Sequence, residues 1–184
     1  MSIIVQSRRR RLANIQADFP DAVILDVTSK GDLPWVKFSP FYPHGQIPVP
    51  FYPRWTSQSV EGIWQGLKVF ESAGIERSKM QITDMKNLKR TQRKHGKCQG
   101  HQAGEQLLTY LEARKLIYLP AYHWVLANSL SSLVEKLEEL AQVQTAILLD
   151  YETNGDVENI QKPLSHAYLI KYYIDGNYPN LSAK

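Results

Sequence analysis

TAILLDYE, residues 145–152, is an apolar run closed by the polar turn TNGD at 153–156, and it reads as a β-strand. One other stretch has the same character: AVILDVTS at 22–29, rich in β-branched and apolar residues. SIIVQ at 2–6 is a shorter strand candidate. The two clear strands stand far apart, and what surrounds them is largely helical in pattern. RRRRLANIQADF at 8–19 reads as a short basic helix. A longer helix is expected from the hydroxyl-rich start at Thr56 to Ser59, with Gly74 as its stop. ITDMKNLKRTQRKHG at 82–96 reads as the next, capped by Thr83 or Asp84 and stopped by Gly96. AGEQLLTYLEARKLI at 103–117 follows, Pro120 breaks the pattern, and AYHWVLANSL at 121–130 restarts it. SLVEKLEELAQ at 132–142 carries a capping box at Ser132 and Glu135, with Leu133, Leu137 and Leu140 along one face. PLSHAYLIKYYIDG at 163–176 closes the pattern as a helix, with Pro163 near its first turn and Gly176 near its end. Helices outnumber strands, so the expected class is α+β: a mainly helical single domain, residues 1–184, around a small sheet.

Composition agrees with that frame. A chain of 184 residues with 43% hydrophobic content has the apolar residues for a real core. No run approaches the roughly 20 apolar residues that span a bilayer, so no membrane partner is expected. The start MSIIVQSRRRRL has too short an apolar run for a secretory signal. Cys98 is the single cysteine, which excludes an intramolecular disulfide and fits a reducing cytoplasm. The net charge of +4 is compatible with a solvated surface or with an anionic partner such as a nucleotide or nucleic acid.

Prolines at 34, 40, 43, 48, 50 and 53 predict a long irregular loop over most of 34–53, crowded with aromatic residues. Directly behind it stands VEGIWQGLKVF at 60–70. At about 100° per residue, Glu61 and Gln65 differ by about 40°, and Glu61 and Lys68 by about 20° the other way. All three share one stripe, with Val60, Ile63, Leu67 and Phe70 on the neighbouring core face and Trp64 at the border. A solvated helix face would show the same spacing; the aromatic loop in front of it points instead to a site.

FSPFYP at 38–43, VEGIWQGLKVF at 60–70 and the basic MKNLKRTQRKHG at 85–96 together resemble the NADAR superfamily, which is linked to NAD and ADP-ribose chemistry. The likeness covers about a third of the chain, residues 35–97. Pro40 stands where the family has Asn, and the family's Trp-Gly-x-Gly stretch has no counterpart. The resemblance implies a NADAR-like fold and hydrolysis of an N-ribosyl bond in a nucleotide-derived or ADP-ribosylated substrate. Glu61 would then work at the anomeric carbon, as a charge or as the base for water. Lys68 would be a nucleophile or the partner that orients Glu61. Asp156 is the candidate second carboxylate, with a plain turn role as its alternative. Tyr42, Trp64 and Trp35 would stack on a ring; Lys89, Arg90 and Arg93 would meet phosphate beside Gln65; His166 would touch substrate or simply cap its helix. His95, Cys98 and His101 lack a fourth ligand, so no metal and no cofactor is expected. The alternative is a non-catalytic nucleotide or nucleic-acid binder that keeps the pocket.

Overall fold

The computed structural model describes residues 2–179. The chain runs β1 (Ile3–Ser7), α1 (Leu12–Asp18), β2 (Val23–Asp26), β3 (Ile47–Val49), β4 (Tyr52–Ser57), α2 (Val60–Gly66) and β5 (Lys68–Phe70). It continues with α3 (Gln92–His95), β6 (Cys98–Ala103), β7 (Gln106–Leu108), α4 (Tyr110–Ala113), α5 (Leu119–Trp124), α6 (Ser131–Val143), β8 (Ala146–Asp150) and α7 (His166–Ile174). The class is α+β, as expected, with its strands in small sheets. The chain resolves into two compact units: residues 2–39 with Leu126–Pro179, and Pro40–Val125.

The first unit is built on the sheet β1-β8-β2, all parallel. Every residue of the central strand β8 is buried. A central parallel strand needs apolar side chains on both faces, which is why TAILLDYE stands out in the sequence. Ile15 of α1 packs on Ile147 and Leu149, with Ile24 and Phe19 beside them. Helix α7 starts at Ser165, whose hydroxyl accepts the Tyr168 amide, and gives way to Gly176 at φ 71. Pro163 lies two residues before that cap, near the first turn as expected. Helix α6 buries Val134, Leu137 and Ala141, but its cap position is Leu130 and no side chain caps it. The capping box expected at Ser132 and Glu135 is therefore not formed.

The second unit holds an antiparallel hairpin, β3-β4, and a three-stranded antiparallel meander, β5-β6-β7. The proline-rich stretch is thus less irregular than expected. Pro48 and Pro53 fit because a two-stranded hairpin is all edge and each strand has a side that needs no donor. The helix starting at Ser59 ends at Gly66, well short of Gly74. A Cβ at Gly66 would stand 2.9 Å from the Met80 methyl, and Glu76 N–H donates to the Gly66 carbonyl at 2.8 Å. The chain turns there and Lys68–Phe70 pairs with β6. The basic helix is shorter still: only Gln92–His95 is helical, closed by Gly96 at φ 78. Before it Leu88 and Arg90 are buried while Lys89 is exposed, an alternation that suits an extended segment. Pro120 does not break the helix around it. Tyr110 to Ser129 is helical throughout, with π-helical turns at Arg114–Tyr118 and Val125–Ser129. The widened turn before Pro120 relieves the ring's clash with the preceding carbonyls. The capping box that does form is at Thr109 and Glu112.

Candidate functional site

The site grows from the cap of α2. Ser59 Oγ accepts the Gly62 amide at 3.0 Å, and Ser57 Oγ donates to the Ser59 carbonyl at 2.8 Å. A side chain at Gly62 would meet the Lys79 carbonyl and Ser57 Oγ, each 2.8 Å from an added Cβ. The helix therefore lies directly against the 3-10 turn Arg77–Gln81. The aromatic loop is tied to the same end, since Glu61 N–H donates to the Pro40 carbonyl at 2.8 Å.

From this frame Glu61 and Gln65 face the same way, one helical turn apart. Gln65 Nε2 donates to Glu61 Oε1 at 2.7 Å, and Gln65 Oε1 accepts from Lys68 Nζ at 3.3 Å and from the Arg90 amide at 2.9 Å. Gln65 thus joins the carboxylate to the amine. Glu61 and Gln65 are buried, 7% and 4% exposed, and Lys68 is half-buried. Burial pushes the Glu61 carboxyl above its ordinary value; the hydrogen bond from Gln65 and the charges of Lys68 and Lys89 oppose this without cancelling it. Burial likewise lowers the proton affinity of Lys68, helped by Arg90 and Lys89, against the pull of Glu61 and Cys98. Both shifts favour the uncharged forms and draw the titration of each group toward neutrality.

Rings wall the site. The Trp64 ring centre is 3.8 Å from that of His101, 5.6 Å from Tyr110 and 5.7 Å from Tyr118, the last two edge-on. Lys68 Nζ lies 5.9 Å above Trp64, and Lys89 Nζ 5.6 Å from the Phe41 ring. His101 stands directly opposite Lys68 in the β5-β6 pair. Directly opposed residues leave a sheet on the same face, so the imidazole belongs to the Lys68 side. Burial and the Lys68 charge hold the ring's pKa down to about 3, against a slight opposing pull from the Trp64 backbone.

The structure brings together Glu61, Lys68, Trp64, Gln65 and Lys89, but gives other candidates different work. Arg90 donates to the carbonyls of Lys68 at 2.7 Å, Gly74 at 2.7 Å and Gln65 at 3.3 Å, and pairs with Glu76 at 3.1 Å. Its guanidinium braces the scaffold rather than a phosphate. Arg93 is exposed on α3, and Tyr42 packs on His44 with ring centres 5.0 Å apart. Trp35 belongs to the first unit, stacked on Phe38 at 6.3 Å. Among the described residues no group of three or more His, Cys, Asp or Glu is placed to hold a metal ion.

Asp156 and His166 also belong to the first unit. Asp156 closes a turn: its Oδ1 accepts the Glu158 amide at 2.9 Å, and its amide donates to Asn154 Oδ1 at 3.1 Å. His166 is clamped between Asp150 Oδ2, 3.0 Å from Nδ1, and the Val27 carbonyl, 2.9 Å from Nε2. Two acceptors require two ring donors, so this buried imidazole is an imidazolium. Burial alone would lower its pKa, but Asp150 and the Val27 carbonyl reverse the sign and raise it. Asp150 is similarly pushed up by burial and brought below its ordinary value by His166, Ser165 and the Ala167 amide. The clamp ties the C-terminal ends of β2 and β8 to α7. The first unit also has an open cleft of about 500 Å³ along β2, lined by Arg8, Arg10, Gln16, Asp26 and apolar side chains.

Sequence reasoning missed Phe41, Tyr110, Tyr118 and the place of His101. Helical spacing reports neighbours within one element; it carries no trace of the β5-β6 register that sets His101 against Lys68.

The architecture defines a small α+β protein whose buried acid and half-buried amine meet through an amide. Residues 7–170 match a family of unknown function (DUF6939), and the chain belongs to that family. No curated protein and no solved structure matches it.

Proposed function

We propose that this protein is a hydrolase that cleaves an N-ribosyl bond of a nucleotide-derived or ADP-ribosylated substrate. The observation that carries the reading is the Glu61–Gln65–Lys68 relay: two buried or half-buried ionisable groups, each shifted toward neutrality, joined by one amide and walled by rings. The resemblance of FSPFYP and VEGIWQGLKVF to NADAR proteins supports it. Cleavage at an anomeric carbon passes through an oxocarbenium-like state that a nearby carboxylate stabilises. Glu61, once ionised, supplies that charge and takes the proton of the attacking water. The C1–N bond breaks, its electron pair leaves with the base, and water's oxygen stays on C1. A raised proton affinity makes Glu61 a better base than an exposed carboxylate. Lys68 holds Gln65, and so Glu61, in place. In a separate route its lowered proton affinity makes available a neutral amine: it attacks C1 of the ring-opened riboside, the base leaves with the C1–N electron pair, and water hydrolyses the resulting Schiff base to free Lys68.

The test is incubation with NAD, ADP-ribosylated guanosine and ribosylated riboflavin precursors, with mass detection of any freed base. Release from at least one of them is expected. Binding of ADP-ribose with no release from any member of the panel would instead establish a non-catalytic binder. Borohydride added during turnover settles the part played by Lys68: a reduced sugar adduct on Lys68 marks attack, and its absence marks orientation.

A further inference from the structure

His101 is 1% exposed, and neither of its ring nitrogens has a hydrogen-bond partner among the described residues. The Trp64 carbonyl is near enough to pull weakly on the ring's proton, yet it meets neither nitrogen in hydrogen-bonding geometry. A folded protein rarely leaves a buried polar side chain in this state, because its water has been removed and nothing replaces it. If the position served packing alone, an apolar ring would stack on Trp64 equally well at no such cost. The imidazole also shares a sheet face with Lys68 and lies 3.8 Å from the Trp64 ring centre. We propose that His101 is a substrate-contacting residue of the Glu61–Gln65–Lys68 site, hydrogen-bonding an uncharged hydroxyl or amide group of the ligand. This rests on the N-ribosyl reading and extends it.

Chemistry narrows the ligand group. With its pKa near 3 the ring is neutral at physiological pH, offering one donor and one acceptor. That pair matches a ribose hydroxyl or a carboxamide, each of which can both give and accept. It does not match a phosphate, which asks for cations or several donors. Lys68 and Lys89 supply the nearby positive charge, so the site separates a charged part of the ligand from an uncharged part that His101 reads.

The experiment compares the wild type with His101→Phe and His101→Gln by thermal unfolding at pH 7.5, with and without 1 mM ADP-ribose. His101→Phe keeps the stacked ring and removes the orphaned nitrogens. It is expected to raise Tm by about 2–4 °C without ligand, and to cut the ligand-induced Tm rise to less than a third. His101→Gln, which keeps a donor and an acceptor, is expected to retain more than half of that rise. A lower Tm for His101→Phe would show that the nitrogens are already satisfied within the fold and would overturn the inference. So would an undiminished ligand-induced rise in both variants. A wild type that releases base, paired with a His101→Phe variant that binds ADP-ribose normally, sinks the role of His101 alone. A wild type with no response to ADP-ribose and no release from any ribosylated compound removes both readings together.

Discussion

Single residues decide the chemistry, and Gln65 is the most informative. Its amide reads both neighbours at once: the NH2 group toward Glu61, the oxygen toward Lys68 and the Arg90 amide. Lys68→Met removes the donor on one side and frees the amide to rotate. Turnover of an N-ribosyl substrate is expected to fall at least tenfold, with Tm within about 3 °C of wild type; unchanged kcat would remove Lys68 from the mechanism. Arg90 makes the opposite prediction. Its side chain is 2% exposed and donates to the carbonyls of Gln65, Lys68 and Gly74. Truncating a buried, hydrogen-bonded cation costs about 3–5 kcal/mol, so Arg90→Met should lose about that much stability in urea denaturation. A loss below about 1 kcal/mol would return Arg90 to the list of surface cations available to ligand.

Among elements, those that carry their own signal were legible. Strand β8 is buried on both faces and announces itself as an apolar run; α7 has its hydroxyl cap and closing glycine in the sequence. The meander β5-β6-β7 was not legible, because its strands are three to six residues long and β5 finds its partner β6 far along the chain. The same cause shortened α2. Helical spacing placed Lys68 beside Glu61 on a helix that would have run on, whereas in the structure the chain turns at Gly66 and Lys68 opens a strand. The two groups converge nonetheless, through Gln65 rather than along one stripe. Glu61 and Gln65 were readable because both sit on α2 at one-turn spacing. Arg90 misled because a Lys/Arg-rich run looks alike whether it is a solvated helix or an extended strap. The close approach of α2 to the turn Arg77–Gln81 depends on Gly62. Gly62→Ala is expected to cost about 1–3 kcal/mol and to lower kcat, since overpacking there shifts the first turn that carries Glu61. An alanine variant as stable and active as wild type would mean that the helix can move aside freely.

At the scale of the whole molecule, two buried histidines give stability opposite dependences on pH. His166 has a raised folded pKa, so its contribution is fully present below about 6.5, the ordinary histidine value, and fades as pH rises through the folded value. His101 has a lowered one, so its neutral burial costs nothing at high pH and costs stability as pH falls from about 6.5 toward 3. His166→Gln should therefore lose several degrees of Tm at pH 6, and the deficit should shrink at pH 9; a deficit independent of pH would contradict the imidazolium clamp. No helix among the described residues is long and apolar enough to cross a membrane. The central claim is that Glu61 acts at the anomeric carbon of a bound ribosyl group. It is tested most directly by the rate of base release from saturated Glu61→Gln beside wild type, with ADP-ribose affinity measured on both. The account predicts a fall in release of at least a thousandfold with affinity kept within about tenfold. Release at the wild-type rate from the glutamine variant would contradict it.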